Sequence, residues 1–296
     1  MNKSITLPSP CKLNLFLYIT GRRPDGYHNL QTLFTILDFG DEMTFVPRED
    51  GQIVIHGPFD FPTEKNTIYK ALMLLKDKAA ADGRLPEGNA DKAQRLGMEI
   101  TVAKRIPEGG GLGGGSSNAA TAMLAANKLW GLDYSVEELL PLGVKIGADV
   151  PVFVGGQAAF ASGVGEKLTP VTLPERWYVV AAPEGCQVNT AKAFADPELT
   201  RDSPVRDFAQ LMELGYHNDF TFSVVKNHPE IGQLLSLLVK YAPAHLSGSG
   251  ASCSIEFESS KEALNALQSL KQIHRGPLFM ARSVVSSPVH DALLQL

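Results

Sequence analysis

Cysteine is scarce in this chain, with three residues among 296. Cys11, Cys186 and Cys253 lie far apart along the sequence and have none of the paired spacings that zinc motifs show. Nor do they form the disulfide framework that is typical of small secreted domains. This usage of cysteine favours a protein of the reducing cytosol.

Long apolar runs are also missing. The first ten residues contain one lysine, two prolines and no continuous hydrophobic segment of the kind that a secretory signal needs. The apolar segment 13–19 is far shorter than the about 20 residues of a membrane helix, and Asn14 interrupts it. We therefore expect a cytoplasmic protein without a membrane partner.

Positive charge is not in excess, because 27 Lys and Arg face 32 Asp and Glu for a formal net charge of -5. This balance argues against a protein that binds nucleic acid or an anionic membrane by bulk charge. Hydrophobic residues make up 44% and charged residues 20%, which is typical of a globular chain and excludes disorder.

The length predicts about two domains at ~150 residues each, and no internal repeat is present. In the first half, Asp25-Gly26 is a turn signal between two strands. Asn66 or Thr67 is placed to cap a helix, and Ser135 with Glu138 forms a capping box before a helix that Pro141 should disturb. The predicted elements are strands at 10–19, 30–37, 42–55 and 97–106, helices at 68–81 and from Ser117, and a solvated connection at 81–96.

The second half alternates strands and helices, which predicts an α+β layer on one face of a sheet. The predicted elements are strands at 177–183, 252–257 and 279–285, helices at 229–241 and from Ser260, and a glycine turn at 247–252. Dense Gly and Pro at 155–175 favour a boundary there. We place it between an N-terminal domain, 1–160, and a C-terminal α+β domain, 161–296.

The most informative segment is a glycine loop. The chain has 27 glycines where about 21 are usual for its length, and six of the seven residues 109–115 are glycine. Glycine lets the backbone approach a ligand closely, and the helix start that follows offers unpaired N–H groups. Ser116 and Ser117 add hydroxyls. Together these features predict a cradle for an anion, most naturally a phosphate.

The loop does not match the common phosphate motifs closely. Gly110 and Gly115 have the Walker A spacing, but Ser116 occupies the position of its lysine. The Rossmann pattern G-x-G-x-x-G is met formally, yet the acidic residue that should follow, Asp133, comes after a helix and not at a strand end. A flexible linker is the plain alternative, although linkers do not usually run into an alanine-rich helix.

Lys12 and Asn14 are two apart on a predicted strand, so both project from one face while Cys11 and Leu13 project from the other. Asp149 precedes an apolar run that we interpret as a buried strand, so its carboxylate should lie at the mouth of that strand. A buried carboxylate needs a partner, and Lys12 is a candidate. Asp149 could then accept the proton of an attacking alcohol while Lys12 screens the charge of a transferred phosphoryl group. The alternative is a purely structural ion pair.

Three motifs in this order resemble the GHMP kinases, named for galactose, homoserine, mevalonate and phosphomevalonate. They are PCKLNL at the N-terminus, PEGGGLGGGSSNAA at the glycine loop and LSGSGA near residue 250. DGYH at 25–28 and GADVPVFV at 147–154 make the chain most similar to members that act on a diphosphocytidyl polyol of the non-mevalonate isoprenoid pathway. The resemblance implies a two-domain α+β fold, an active site in the inter-domain cleft, and ATP with Mg²⁺.

The resemblance also implies the site residues. It makes Lys12 and Asp149 the catalytic pair and Asn14 a contact of the polyol. Tyr27 and His28 would hold the cytosine, by stacking and by hydrogen bonds to its edge, and Phe194 would stack on its other face. The ATP site it implies consists of Asn66, Lys104, Pro107, Gly109, Gly110, Gly111, Leu112, Gly113, Gly114, Gly115, Ser116 and Ser117. The turn with Gly248 and Gly250 belongs to the resemblance without an assigned ligand.

Some points stay open at this level. Glu108 places a negative charge beside the loop, and we expect it to point to solvent. The serines after the loop are the candidate protein ligands for Mg²⁺, and monomer and homodimer are both compatible with the sequence. The competing hypotheses are a GHMP kinase for a smaller alcohol, which would not need Tyr27 and His28, and a dinucleotide-dependent oxidoreductase or a catalytically silent nucleotide-binding module.

Overall fold

The computed structural model describes residues 4–84 and 95–296. Most of the connection predicted at 81–96 lies outside the described residues. In the described part, no helix is both long and apolar enough to cross a membrane.

A long antiparallel hairpin organises the first half of the chain. β1 (Ile5–Arg22) pairs with β2 (His28–Arg48) along almost its whole length. The predicted turn between them is confirmed, because Gly26 has a φ of 87° and donates to the carbonyl oxygen of Arg23 at 3.0 Å. The bulges in this pairing lie between Pro10 and Lys12, between Asn14 and Phe16, and between Ile19 and Gly21.

The two strands predicted at 30–37 and 42–55 are wrong as separate elements. They form the single strand β2, followed by the short β3 (Ile53–His56). β2 stays continuous because it pairs with β1 on one edge and, on the other, with β5 (Ala159–Gly163) and β4 (Gly97–Ala103) at its two ends. β6 (Lys167–Pro170) pairs with β5 and completes a six-stranded sheet.

Helices cover one face of this sheet, and their apolar side chains form the larger hydrophobic core. They are η1 (Thr63–Lys65), α1 (Thr67–Ala81), α2 (Gly114–Leu129), α3 (Val136–Ile146), α4 (Val150–Gly155) and the C-terminal α10 (Pro288–Leu294). The Asn66 cap of α1 and the capping box of α3 are confirmed. α3 continues through Pro141, which is exposed, so the hydrogen bond that proline cannot make lies on the solvent side.

The second sheet is antiparallel and has four strands in the order β10-β7-β9-β8. Its strands are β7 (Trp177–Ala181), β8 (Ala244–Leu246), β9 (Cys253–Phe257) and β10 (Leu278–Arg282), and its helices are α5 (Thr190–Ala195), α6 (Phe208–Leu214), α7 (Phe220–Asn227), α8 (Pro229–Leu238) and α9 (Ser260–Ile273). The chain passes from the first sheet to the second at 171–176. The division at residue 160 stays a prediction, with β5 and β6 belonging to the first sheet.

The two halves meet along the opposite face of the hairpin from the helices. Leu13 and Cys11 of β1 lie in one buried apolar cluster with Val180 of β7 and Leu112 of the glycine loop. This packing brings the N-terminal strand, the glycine loop and the second sheet to one place.

Candidate active site

Two cavities meet beside β1. The strand cavity, of about 550 Å³, extends along β1 and β2 to Tyr27, His28 and Phe194. The loop cavity, of about 430 Å³, is lined by the whole glycine loop together with Asn66 and Lys104. The residues that line both cavities are Gly111, Ser116, Asp149 and Thr190. A ligand in one cavity can therefore reach a ligand in the other at this border.

Lys12 lies at the border as a buried charge with a full set of acceptors. Its residue is 2% exposed, and its Nζ lies 3.2 Å from Asp149 Oδ2. The same ammonium donates to Asn14 Oδ1 at 2.5 Å and to the carbonyl oxygen of Gly111 at 2.8 Å. These partners offset the cost of removing the ammonium from water. The predicted Lys12–Asp149 pairing is confirmed.

The local structure around Asp149 differs from the prediction. The apolar run after it is the helix α4 and not a strand, and Asp149 is its N-cap residue. A short run that is apolar on all sides is compatible with either element, and Pro151 suits the first turn of a helix. The Asp149 side chain makes no capping bond and is one-third exposed, at 33%, so it faces Lys12 and the cavities.

The glycine loop has a backbone that only glycine adopts readily. Gly109, Gly111 and Gly113 have φ values of 63°, 71° and 74°. A Cβ on Gly111 would lie 2.1 Å from the carbonyl oxygen of Ser247, so that position also needs glycine for space. α2 begins at Gly114, three residues before the predicted start, because the last glycines of the run are already helical. Its first N–H groups lie at the loop cavity without partners inside the helix.

The second sheet holds this loop through hydrogen bonds from the turn at 247–252. Ala251 N donates to the carbonyl oxygen of Gly109 at 3.0 Å, and Ser252 N donates to that of Gly110 at 3.1 Å. Gly248 lies beside Asn14 and lines the strand cavity. The loop is therefore held by backbone contacts from both halves of the chain.

Contrary to the prediction from the sequence, the Ser117 hydroxyl does not lie where it could contact a phosphate. Ser117 is fully buried, its Oγ is 2.9 Å from Ser9 Oγ, and it is absent from the described lining of either cavity. The reason is helical geometry, because the side chain after Ser116 points toward the sheet as α2 turns. Ser116 is the hydroxyl that remains at the border of the cavities.

Lys104 lies in the loop cavity with its charge already paired. Its Nζ is 2.5 Å from Asp41 Oδ2 and 3.2 Å from Asn118 Oδ1. The Asp41 carboxylate also accepts the backbone N–H groups of Arg105 and Ile106. The sequence analysis missed Asp41, because it lies between the strands predicted at 30–37 and 42–55, whereas in the structure it lies inside the continuous strand β2.

Two further residues of the loop cavity, Asn66 and Glu108, have side chains that a helix cap and solvent occupy. Asn66 Oδ1 accepts from Ile68 N at 3.0 Å, so this oxygen is used as a helix cap. Glu108 is exposed, as expected, although it belongs to the residues that line the loop cavity. Its carboxylate can therefore stay hydrated while the backbone beside it lines the cavity.

Aromatic side chains form the far end of the strand cavity. Tyr27 is 65% exposed, whereas His28 is buried. The rings of His28 and Phe194 stack on each other with centroids 4.9 Å apart and an interplanar angle of 17°. The structure thus brings all three predicted residues to one cavity, with His28 and Phe194 in direct contact.

Arg201 fixes His28 and was missed by the sequence analysis, since nothing in its local sequence distinguishes it. Its Nε donates to His28 Nε2 at 3.3 Å, and its other nitrogens bond the carbonyl oxygens of Leu199 and Phe194. Burial lowers the pKa of His28 below its usual 6.5, and the positive charges of Arg201 and Arg22 lower it further. A neutral His28 that accepts at Nε2 carries its proton on Nδ1.

The border also offers oxygen ligands. Mg²⁺ is usually bound through one or two protein oxygens together with phosphates. The carboxylate of Asp149 and the hydroxyl of Ser116 both line the two cavities, so the residues present fit such an ion.

The chain matches two family models. The model described as GHMP kinases N terminal domain matches residues 66–162, and the one described as GHMP kinases C terminal matches residues 198–275. The first match includes the glycine loop and Asp149, and the second includes the turn at 247–252.

Solved structures agree with the family models. A structure of 4-(cytidine 5'-diphospho)-2C-methyl-D-erythritol kinase is 30% identical, with a TM-score of 0.77 over 94% of this chain and 99% of that one. Homoserine kinase from Cytophaga hutchinsonii is 17% identical, with a TM-score of 0.66 over 98% and 97%. Methanococcus jannaschii mevalonate kinase is 14% identical, with a TM-score of 0.61 over 96% and 99%. The last two show the fold alone. The chain belongs to the GHMP kinases, and it is an ATP-dependent kinase of a small molecule with their two-domain α+β fold.

Proposed function

We propose that this kinase phosphorylates the 2-hydroxyl of 4-diphosphocytidyl-2-C-methyl-D-erythritol, a step of the non-mevalonate isoprenoid pathway. The observation that supports this most is the position of the Lys12–Asp149 pair at the border of the two cavities, with Tyr27 and His28 at the far end of one of them. The similar kinase at 30% identity has that compound in its name.

In this proposal ATP occupies the loop cavity. The backbone from Pro107 to Ser116 surrounds its phosphates, and Mg²⁺, when bound, would neutralise part of their charge, with the Ser116 hydroxyl as its candidate ligand. Lys104 and Asn66 lie near the nucleotide. Because the charge of Lys104 is already paired with Asp41, we assign it to holding the loop and not to the phosphates.

The chemical step uses the pair at the border. Asp149 accepts the proton of the substrate's 2-hydroxyl. The oxygen of that hydroxyl forms a bond to the γ-phosphorus of ATP while the bond between this phosphorus and the ADP oxygen breaks. Lys12 keeps the carboxylate of Asp149 ionised and screens the charge on the transferred group. Asn14, held by Lys12 and by Thr32 Oγ1 at 2.8 Å, contacts the polyol.

The cytosine lies at the aromatic end of the strand cavity. His28, neutral and protonated on Nδ1, offers one donor, which suits the acceptor atoms of a cytosine edge. Tyr27 and Phe194 provide ring faces for stacking. Homoserine and mevalonate have no base to use these groups.

A coupled assay of ADP release tests the proposal, with the diphosphocytidyl polyol, homoserine and mevalonate supplied separately. We expect turnover with the first compound and little with the others. Absence of turnover with the first, or comparable turnover with either of the others, would contradict the assignment of the substrate and leave the family membership intact.

A further inference from the structure

A thiol, an imidazole and a carboxylate lie together in the second half of the chain. Cys186 Sγ is 4.0 Å from His228 Nδ1, and that nitrogen is 3.5 Å from Glu230 Oε1. All three atoms lie within 4.8 Å of one another. We call Cys186, His228 and Glu230 the thiol cluster. None of them belongs to the described lining of the strand or the loop cavity.

The backbone holds these side chains in place from two directions. His228 ends α7, donating its N–H to the carbonyl oxygen of Val224 at 2.8 Å, and Pro229 begins α8 directly after it. Glu230 is therefore fixed in the first turn of α8. Cys186 lies in the loop after β7, where its N–H bonds the carbonyl oxygen of Pro183 at 3.2 Å.

The donor set has the chemistry of a transition-metal site. Sulfur, imidazole nitrogen and carboxylate oxygen are the usual ligands of Zn²⁺, whereas Mg²⁺ and Ca²⁺ prefer oxygen alone. Zinc bonds of about 2.0–2.3 Å in a tetrahedron place neighbouring donors roughly 3.3–3.8 Å apart. The Sγ–Nδ1 distance of 4.0 Å needs to shorten by only a few tenths of an ångström, the Nδ1–Oε1 distance of 3.5 Å already lies in this range, and the Cys186–Glu230 distance is at most 4.8 Å. Its side chains are partly exposed, so water can supply a fourth ligand.

Two other histidine–carboxylate pairs of the described residues lack the sulfur ligand of the thiol cluster. His56 Nε2 and Glu99 Oε1 are 3.0 Å apart, but Arg48 also binds Glu99 and no thiol takes part. The carboxylate of Asp219, beside His217, accepts the backbone N–H of Ile19. The thiol cluster adds a soft sulfur ligand, which raises the affinity for zinc-like ions above that of such pairs.

We propose that the thiol cluster binds one borderline-soft divalent cation of the Zn²⁺ class, with Cys186 Sγ, His228 Nδ1 and a Glu230 carboxylate oxygen as ligands. On binding, the thiol proton passes to solvent, three metal–ligand bonds form, and no group is oxidised or reduced. The site also connects to the glycine loop, because Val188 N, two residues after Cys186, donates to the carbonyl oxygen of Gly109 at 3.3 Å. A bound ion thus links α8 to the loop that contacts Gly109.

The test is titration of the metal-free full chain with Zn²⁺ in competition with a chromophoric zinc indicator, followed by substitution with Co²⁺. We expect one equivalent to bind, and the Co²⁺ form to show thiolate-to-metal charge-transfer absorption. Cys186→Ser should remove that absorption and weaken Zn²⁺ binding at least tenfold, and His228→Ala should weaken it similarly. Kinase activity without added Zn²⁺ should be unchanged in Cys186→Ser.

Two matched controls separate the site from general surface binding. His56→Gln changes the exposed His–Glu pair that has no thiol, and Cys253→Ser changes a fully buried cysteine, so both should keep the wild-type affinity. A thermal melt of every variant checks folding, and Cys186→Ala replaces Cys186→Ser if the latter melts early. Absence of saturable Zn²⁺ binding in the wild type, or equal loss in His56→Gln, would overturn the proposal.

Discussion

The two ends of the site are constructed differently. Around the loop cavity, backbone atoms do most of the holding, and a Cβ at Gly111 would lie 2.1 Å from a carbonyl oxygen of the second sheet. At the far end of the strand cavity, side chains dominate. Tyr27 is mostly exposed there, and a Cβ at Gly26 would meet nothing within 4 Å. In the proposed function the loop cavity holds the phosphates of ATP, which present the same oxygens whatever the acceptor is, so this part of the site can be rigid and built from backbone. Recognition of one particular acceptor depends on side chains, which can vary without disturbing the fold.

The largest expected effect is at the border of the two cavities. Asp149→Asn keeps the size of the side chain and an oxygen for Lys12 but removes the proton acceptor. We expect kcat to fall by about 10²–10⁴, with a small change in KM for ATP, measured by coupled ADP release. Asp77→Asn, an exposed carboxylate on α1, is the control and should keep the wild-type rate. If Asp149→Asn stays active, Asp149 is structural and not the base.

The second prediction tests the rigid loop. Gly111→Ala introduces a clash with the carbonyl oxygen of Ser247 and a strained backbone, at a φ of 71°. We expect KM for ATP to rise about tenfold or more, the equivalent of about 1.4 kcal/mol, and the melting temperature to fall. In Gly131→Ala the φ is 64° but the space is open. In that control the backbone strain alone should lower the stability, by about 1–2 kcal/mol, and KM for ATP should be unchanged. Equal KM values in the two variants would show that the loop tolerates side chains.

The third prediction concerns the aromatic end. His28→Ala should raise KM for the cytidine substrate by up to about tenfold, because one hydrogen bond contributes roughly 0.5–1.5 kcal/mol. KM for ATP should change little, in contrast to Gly111→Ala. Steady-state kinetics with each substrate varied in turn make the measurement. An unchanged KM for the cytidine substrate would remove His28 from the base pocket.

The smallest expected effect is one of pH. The lowered pKa of His28 keeps its imidazole neutral at and above pH 6.5, and protonation below that value adds a positive charge beside Arg201. The unfolded chain takes up this proton at a higher pH than the folded one, so the contribution of His28 to stability decreases as the pH falls through the window below 6.5. KM for the cytidine substrate should rise several-fold in the same window.

Arg201→Gln sharpens this test. Removal of its charge should move the rise in KM to higher pH, although burial, the larger cause of the shift, remains. Profiles of KM against pH for the wild type and this variant would show the displacement. Coincident profiles would mean that another group titrates.

Elements with strong local signals were predictable from the sequence. The turn at Gly26, the cap at Asn66 and the capping box at Ser135 are confirmed, because each depends on residues within a few positions of one another. The helix after Asp149 was predicted as a strand, since a short run that is apolar on every side has no period to read. Ser117 was placed at the ligand because the sequence does not show which side of α2 faces the sheet.

Most contacts between distant segments were beyond the sequence, the Lys12–Asp149 pair excepted. Asp41 meets Lys104 across 63 positions, and Arg201 meets His28 across 173. In the thiol cluster, Cys186 lies 42 and 44 positions before His228 and Glu230, which is no motif spacing, so the scattered cysteines looked unrelated to any metal. Such pairs form when strands and helices from separate parts of the chain pack together, and no local sequence motif marks the residues that take part.

Short-range chemistry alone was sufficient for the glycine loop and the helix that follows it, whereas the pairing of Lys12 with Asp149 was expected from the cost of a lone buried charge and from the family resemblance. The folded chain decided that the Ser116 hydroxyl lines the cavities and that Asp41 neutralises Lys104. It also decided that Arg201 and Phe194 hold His28. The physical reason is that glycine conformations and helix starts are properties of adjacent residues. Burial and charge pairing depend on which segments meet in space, which is a property of the whole chain.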